Sequence, residues 1–139
     1  AHVIAASGVI ELSAQTDLEI EGTTRVETLE AGITLQLTAT DGTLTMLDGA
    51  LVRSNNGEIG LAADLNVALS VVNAQGGDIS VVSEQGNISD NTAAETPNLI
   101  TSGSARLEAA TGIGAVGAAD LNTDLGQLFA LISDNLDRN

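Results

Sequence analysis

The sequence predicts an all-β chain wound as a right-handed parallel β-helix, a β-solenoid, of about five coils. Three observations point there: short two-residue alternations of apolar and polar residues, a glycine opening most of them, and an apolar content almost without rings. Of 139 residues, 43% are hydrophobic but 1% are aromatic, with one Phe and no Trp or Tyr. An irregular interior of this size needs large rings, whereas thin, regular layers can be filled by Val, Ile, Leu and Ala.

In chain order, residues 10–20 read IELSAQTDLEI, 33–37 ITLQL, 44–47 LTML, 59–61 IGL and 79–81 ISV. Each alternation marks a strand with one buried face, and Leu35 and Ile79 are expected to point inward. Taking Gly8, Gly32, Gly57, Gly77 and Gly103 as equivalent corners gives spacings of 24, 25, 20 and 26 residues. A second strand in most units begins near Leu18, Gly42, Leu65, Gly86 and Gly112. A period near 24 is that of one solenoid coil, a unit that cannot bury its own apolar face until neighbours stack on it. The competing architecture is an antiparallel β-sandwich, for which Asn56-Gly57 supplies a hairpin signal. Paired strands recurring at a coil length, as in GITLQLTATDGTLTML and GGDISVVSEQGNIS, favour the solenoid.

Two segments depart from the repeat. Residues 89–96, SDNTAAET, precede the sole proline, Pro97, and read as a turn excursion between coils. Residues 1–120 are assigned to the β-helix and 121–139 to a terminal cap. In that cap Leu121, Leu125, Leu128, Ile132 and Leu136 trace a helical stripe, with Asn122 or Thr123 as N-cap. Gly126 weakens a helix there, and the rival assignment is a further, truncated coil.

Four Lys+Arg against 19 Asp+Glu give a formal charge of -15. Arg25, Arg53, Arg106 and Arg138 are scattered, so a nucleic-acid or anionic-membrane partner is disfavoured. Without Cys there is no disulfide, thiolate nucleophile or Cys-ligated zinc. No run of 18 apolar residues suggests a membrane-spanning helix. The chain does not open on Met and reads as a piece of something longer.

No catalytic, cofactor-binding or metal residue is assigned, and no cofactor is expected. His2, the only histidine, lies at one end and reads as a surface residue, so no Ser/His/Asp set can be assembled. Paired carboxylates could hydrolyse glycosides, as in pectin-active and tailspike β-helices. Glu11, Glu19, Glu21, Asp64, Asp78, Glu84 and Glu108, however, fall at positions expected to form a solvated acidic face. Asp41, Asp78, Asn87, Asp90 and Asn91 adjoin corners where stacked turns could align calcium ligands. The competing explanation is that they are turn formers bonded to their own backbone. Thr34, Thr38, Thr43 and Thr45 could begin a flat array suited to ice, an idea that requires them on one face.

The phrases GDISVVSEQGNIS, GITLQLTATDGTLTM and ARLEAATGIGAVGAADLNTDLGQLFA resemble the repeat regions of filamentous-haemagglutinin-like adhesins, giant repetitive bacterial surface proteins. The resemblance covers most of residues 32–131. It implies a right-handed β-helical shaft that is secreted or displayed at the cell surface, with a role in adhesion, matrix or cell contact. Neither the secretion-signal domain nor a receptor-binding domain of that family is visible, which leaves a non-catalytic shaft or spacer as the expected function. The alternative is a β-helical polysaccharide-active enzyme or carbohydrate-binding fragment. Expected partners are neighbouring coils of the parent protein or another copy stacked end to end through residues 3–12, and a host or bacterial surface component.

Overall fold

A computed structural model describes residues 2–94, 96–114 and 120–132. The described residues are all-β and contain no helix. The first coil holds β1 (His2–Ala5), β2 (Ile10–Ala14) and β3 (Leu18–Ile20). The second holds β4 (Arg25–Ala31), β5 (Leu35–Ala39) and β6 (Leu44–Met46), and the third β7 (Leu51–Asn55), β8 (Ile59–Ala63) and β9 (Val67–Leu69). The fourth holds β10 (Val71–Gln75), β11 (Ile79–Ser83) and β12 (Asn87–Asp90). The fifth holds β13 (Leu99–Ala109) and β14 (Gly112–Ile113), and β15 (Thr123–Ile132) follows.

Each strand pairs in parallel with its counterpart one coil away, so the stack is a β-solenoid of about five turns. Parallel pairing in every described ladder excludes the antiparallel sandwich. One face carries β1, β4, β7 and β10, a second β2, β5, β8 and β11, and a third β3, β6, β9, β12 and β14. The first two faces merge because β13 turns the corner as one strand, pairing with β10 through Leu99–Thr101 and with β11 through Ala105–Ala109. Asn56, the hairpin signal, instead takes a left-handed φ of 60° at a coil corner.

Strand alternation becomes a core because identical faces superimpose. Ile10, Leu35, Ile59, Ile79, Ala105 and Leu128 form one column, and Leu12, Leu37, Leu61, Val81, Leu107 and Ala130 the next. Leu35 and Ile79 point inward as expected and are essentially inaccessible. The buried hydrophobic residues are Ile, Leu, Val, Ala and Met46, with no ring among them. A layer about 4.8 Å deep is thus filled by branched aliphatics in register, each covering the one below.

The corner glycines need one correction. Gly77 stacks on Gly57 and Gly103 on Gly76 and Gly77, but the residue beneath Gly57 is Ile33 rather than Gly32. A side chain at Gly57 would collide with the Ile33 carbonyl, so close backbone approach is what glycine supplies there. Gly32 serves a different purpose, since its φ of +78° turns the chain while its N–H donates to the Asn55 carbonyl at 2.8 Å.

The helical cap is not formed where the structure describes it. Thr123–Ile132 is a strand that lies parallel on β13, with Leu99 opposite Thr123 and Ala109 opposite Ile132. The unbroken apolar run Leu128, Phe129, Ala130, Leu131, Ile132 follows the β13 edge, and Gly126 sits at a corner against the Ser102 and Gly103 carbonyls, where a side chain would not fit. Leu121 and Leu125 pack on the core as coil residues. Leu136, the last member of the proposed stripe, lies outside the described residues.

Candidate functional site

Outward positions on adjacent strands are also stacked, so charges two dozen residues apart in sequence become neighbours. On the first face Arg53 registers with Glu27. Arg53 Nη1 donates to Glu27 Oε1 at 3.1 Å, and Arg25 Nη2 lies 3.0 Å from Glu27 Oε2. Glu27 is buried, and each of its carboxylate oxygens faces a guanidinium. His2 Nδ1 accepts from the Arg25 N–H at 3.2 Å, a terminal contact on the same face. Beside the cluster runs a groove of about 210 Å³ lined by Glu27, Thr28, Leu29, Arg53, Asn55 and Gln75. Glycoside hydrolysis needs two carboxyl groups held either about 5 Å or about 6.5–9.5 Å apart across a sugar. This groove has one, already clamped by two cations.

The carboxylates singled out from sequence are dispersed. Glu11 projects from β2, Glu19 from β3, and Glu21 lies in the following corner. Asp78 opens β11, and Glu108 on β13 pairs with Arg106 at 3.0 Å. Asp64 and Glu84 both line a second groove of about 260 Å³, shared with Thr38, Thr40 and Ala62. Asp64 there accepts from Gln85 Nε2 at 2.6 Å, and no arginine lines the groove.

Several corner Asp and Asn residues act as caps between coils, while Asp90 and Asn73 accept from the backbone N–H two residues on, as turn formers do. Asp17 Oδ1 accepts from the Thr43 N–H at 2.9 Å, and Asn66 Oδ1 from the Asn87 N–H at 3.0 Å. On the first corner Asn56 Oδ1 accepts from the Gly76 N–H and Asp78 Oδ1 from the Ser104 N–H, each at 2.9 Å. Asp41 accepts from the Gln15 side chain. The oxygens are taken up by donors of a neighbouring coil, the next one for Asp17, Asn56, Asn66 and Asp78 and the preceding one for Asp41. Among the described residues no group of three or more His, Cys, Asp or Glu could hold a metal ion.

Asp90 stands apart, because it registers with buried Leu69 in an otherwise apolar inward column. Its Oδ1 accepts from the Thr92 N–H, the Thr92 hydroxyl and Asn98 Nδ2, all at 2.7 Å. Asn98, fully buried, also donates to the Ser70 carbonyl at 3.0 Å and accepts from the Asn122 N–H at 3.0 Å. A carboxylate so saturated on one oxygen organises its loop.

The threonines do not share a face. Thr38 is on β5 of the second face and Thr45 on β6 of the third, while Thr43 is bonded to Asp17 at a corner. That removes the ice-array idea. Exposed large hydrophobics lie chiefly at the two ends of the stack: Val3, Ile4 and Val9 at one, Leu128, Phe129, Leu131 and Ile132 at the other. Comparison with protein families, with curated proteins and with solved structures gave no match.

Proposed function

We propose that this chain is a non-catalytic shaft or spacer segment of a large secreted or cell-surface bacterial protein of the filamentous-haemagglutinin-like kind. The observation carrying this is column continuity: side chains on the second face superimpose from Ile10 to Leu128 with the strand register held at every coil. Such a stack converts residues into length, about 4.8 Å for each coil of some two dozen residues. Its acidic outer faces resist sideways association through mutual repulsion. Neighbouring coils of the parent protein would cover its ends, and the surface component it helps to reach would be contacted elsewhere in that protein.

An antibody raised against the folded chain should label intact, unpermeabilised cells of the producing bacterium. Labelling only after permeabilisation would overturn the assignment. The alternative of a polysaccharide-active or carbohydrate-binding fragment requires a free carboxylate pair or a binding groove. Release of reducing ends from a polysaccharide panel, lost on Asp64→Asn or Glu84→Gln, would restore it.

A further inference from the structure

We propose that the groove on the first face, across the second to fourth coils, is a binding site for one neutral sugar ring, which it holds without cleaving. The inference goes beyond the shaft assignment. It concerns the flank of the stack and involves neither end.

The first-face ladder slips in two places, and the groove lies between them. Glu27 registers with Arg53 and Ala31 with Asn55, so Thr28, Leu29 and Glu30 stand opposite Ser54 alone. Asn73 registers with Ile100 and Gln75 with Thr101, so Ala74 has no counterpart. Bulges of this kind re-aim side chains and gather beside functional sites. Here the extra residues of β4 supply a wall of the groove through Thr28 and Leu29, and Asn55 Nδ2 holds that wall by donating to the Leu29 carbonyl.

Gln75 is the residue a plain shaft explains least. The corner between the first and second faces takes a left-handed residue in each of the first four coils, at Gly8, Gly32, Asn56 and Gln75 in turn. Gly and Asn reach that conformation at little cost, whereas Gln does not. The corner therefore asks for a left-handed backbone, and nothing in it asks for a long amide. That amide side chain instead lines the groove. A backbone outlier kept where a smaller residue would serve points to a use for its side chain. The same neighbourhood carries two further costs: the Thr28 hydroxyl and Arg25 Nε are buried without a hydrogen-bond partner, and the Glu27 carboxylate is buried. The aliphatic columns of the second face need none of these.

The lining selects the ligand. Glu27 accepts, Arg53 donates, and Asn55 and Gln75 carry groups that do each. Sugar hydroxyls both donate and accept, and so match such a mixed wall, whereas an acceptor-only anion would face the Glu27 carboxylate. Leu29, 47% exposed, offers an apolar patch to the C–H face of a ring. At about 210 Å³ the groove is smaller than the roughly 300–1,000 Å³ that takes drug-sized ligands, which suits one ring and not a chain of them. With a single carboxylate the site binds the ring and leaves its glycosidic bond intact.

The test is a titration of the isotope-labelled chain, followed by its amide NMR signals, with the methyl glycosides of glucose, galactose, mannose and N-acetylglucosamine. At least one glycoside should give saturable shifts confined to residues 27–31, 53–55 and 73–76, the groove and its two slips. Gln75→Gly keeps the left-handed corner and removes the amide. It should melt at least as high as the wild type yet bind about tenfold more weakly, the loss of one well-formed hydrogen bond. Gln75→Asn, which retains a shorter amide, should fall between the two. Thr45→Ala, on the third face, should leave binding unchanged. Undiminished binding by Gln75→Gly would overturn the site, as would the absence of a saturable shift with every glycoside up to its solubility. Stronger shifts with glucuronate or sulfate than with any neutral glycoside would mark an anion site and overturn the sugar assignment. Cell-surface labelling is independent of these results and would still report on the shaft assignment.

Discussion

The corner leading from the third face back to the first is built in two ways in adjacent coils. Between β9 and β10 it is Ser70 alone, whereas between β12 and β13 it takes residues 91–98. The strands on either side keep their register regardless: Ile59 stands under Ile79 after 20 residues, and Ile79 under Ala105 after 26. This difference in repeat length is taken up at the corner without disturbing the second-face ladder, whereas the first-face ladder slips between Glu27 and Ala31 and between Asn73 and Gln75. The long corner also serves the short one. Asn98 reaches down to the Ser70 carbonyl, and Asn91, whose Nδ2 donates to the Met46 carbonyl at 2.9 Å, passes across the Ser70 level to the coil beyond. Asp90 gives up an apolar position in its column to hold Asn98 in place.

If the second-face ladder is the invariant part and the corner the adjustable one, damage to that ladder should cost most. Ile79→Asp places an unpaired charge in a closed layer, and a loss of roughly 3–5 kcal/mol is expected, enough to abolish cooperative melting of a marginal domain. Retained melting would show that Ile79 is not inward. Asn98→Ala comes next. It removes the side-chain donor to the Ser70 carbonyl, the acceptor of the Asn122 N–H and one of the three donors to Asp90 Oδ1, and should destabilise by about 2–4 kcal/mol in urea unfolding, with its m-value unchanged. A change near zero would remove the long corner from the account. The smallest effect belongs to Asn55→Ala, which deletes an exposed bond to the Leu29 carbonyl at 2.9 Å and should shift stability by no more than about 0.5 kcal/mol. An Asn55 effect equal to that of Asn98 would show that Asn98 has no special place among the bonds between coils.

Strand positions and the coil length are legible in the sequence because both depend on local alternation and glycine, which act within a few residues. What is hidden there depends on vertical neighbours. Gly32 aligns with Gly57 by residue type, while the register selects Ile33, whose carbonyl is the atom that demands a bare residue above it. The stripe through Leu121, Leu125, Leu128 and Ile132 has helical spacing, but a long parallel edge on β13 is available and outweighs local periodicity. Only half of the Glu27 cluster is local: Arg25 lies two residues before it, while Arg53 lies 26 residues on, and adding one coil length to Glu27 brings it within about two residues of that arginine. Asp90 does leave a signal. The third-face strands read LEI, LTM and VAL before NISD, so an acid replaces an aliphatic at the inward position. The corner Asp and Asn residues are recognisable as turn formers, yet the acceptors of Asp17, Asn56, Asn66 and Asp78 serve the coil above, a relation that exists only once coils are stacked.

The central claim is that the coil, and not the strand or the hairpin, is the unit of this structure. Excising residues 33–56 removes one register unit, since Leu35 and Ile59 are paired 24 residues apart, and joins Gly32 to Gly57. Circular dichroism and thermal unfolding of this shortened chain, beside one lacking residues 33–44, test the claim directly. The full-coil deletion should retain a β spectrum and a single cooperative transition, with β8 seated on β2, while the half-coil deletion, which throws every later strand out of register, should not fold. Equal loss in both, or equal tolerance of both, would contradict it.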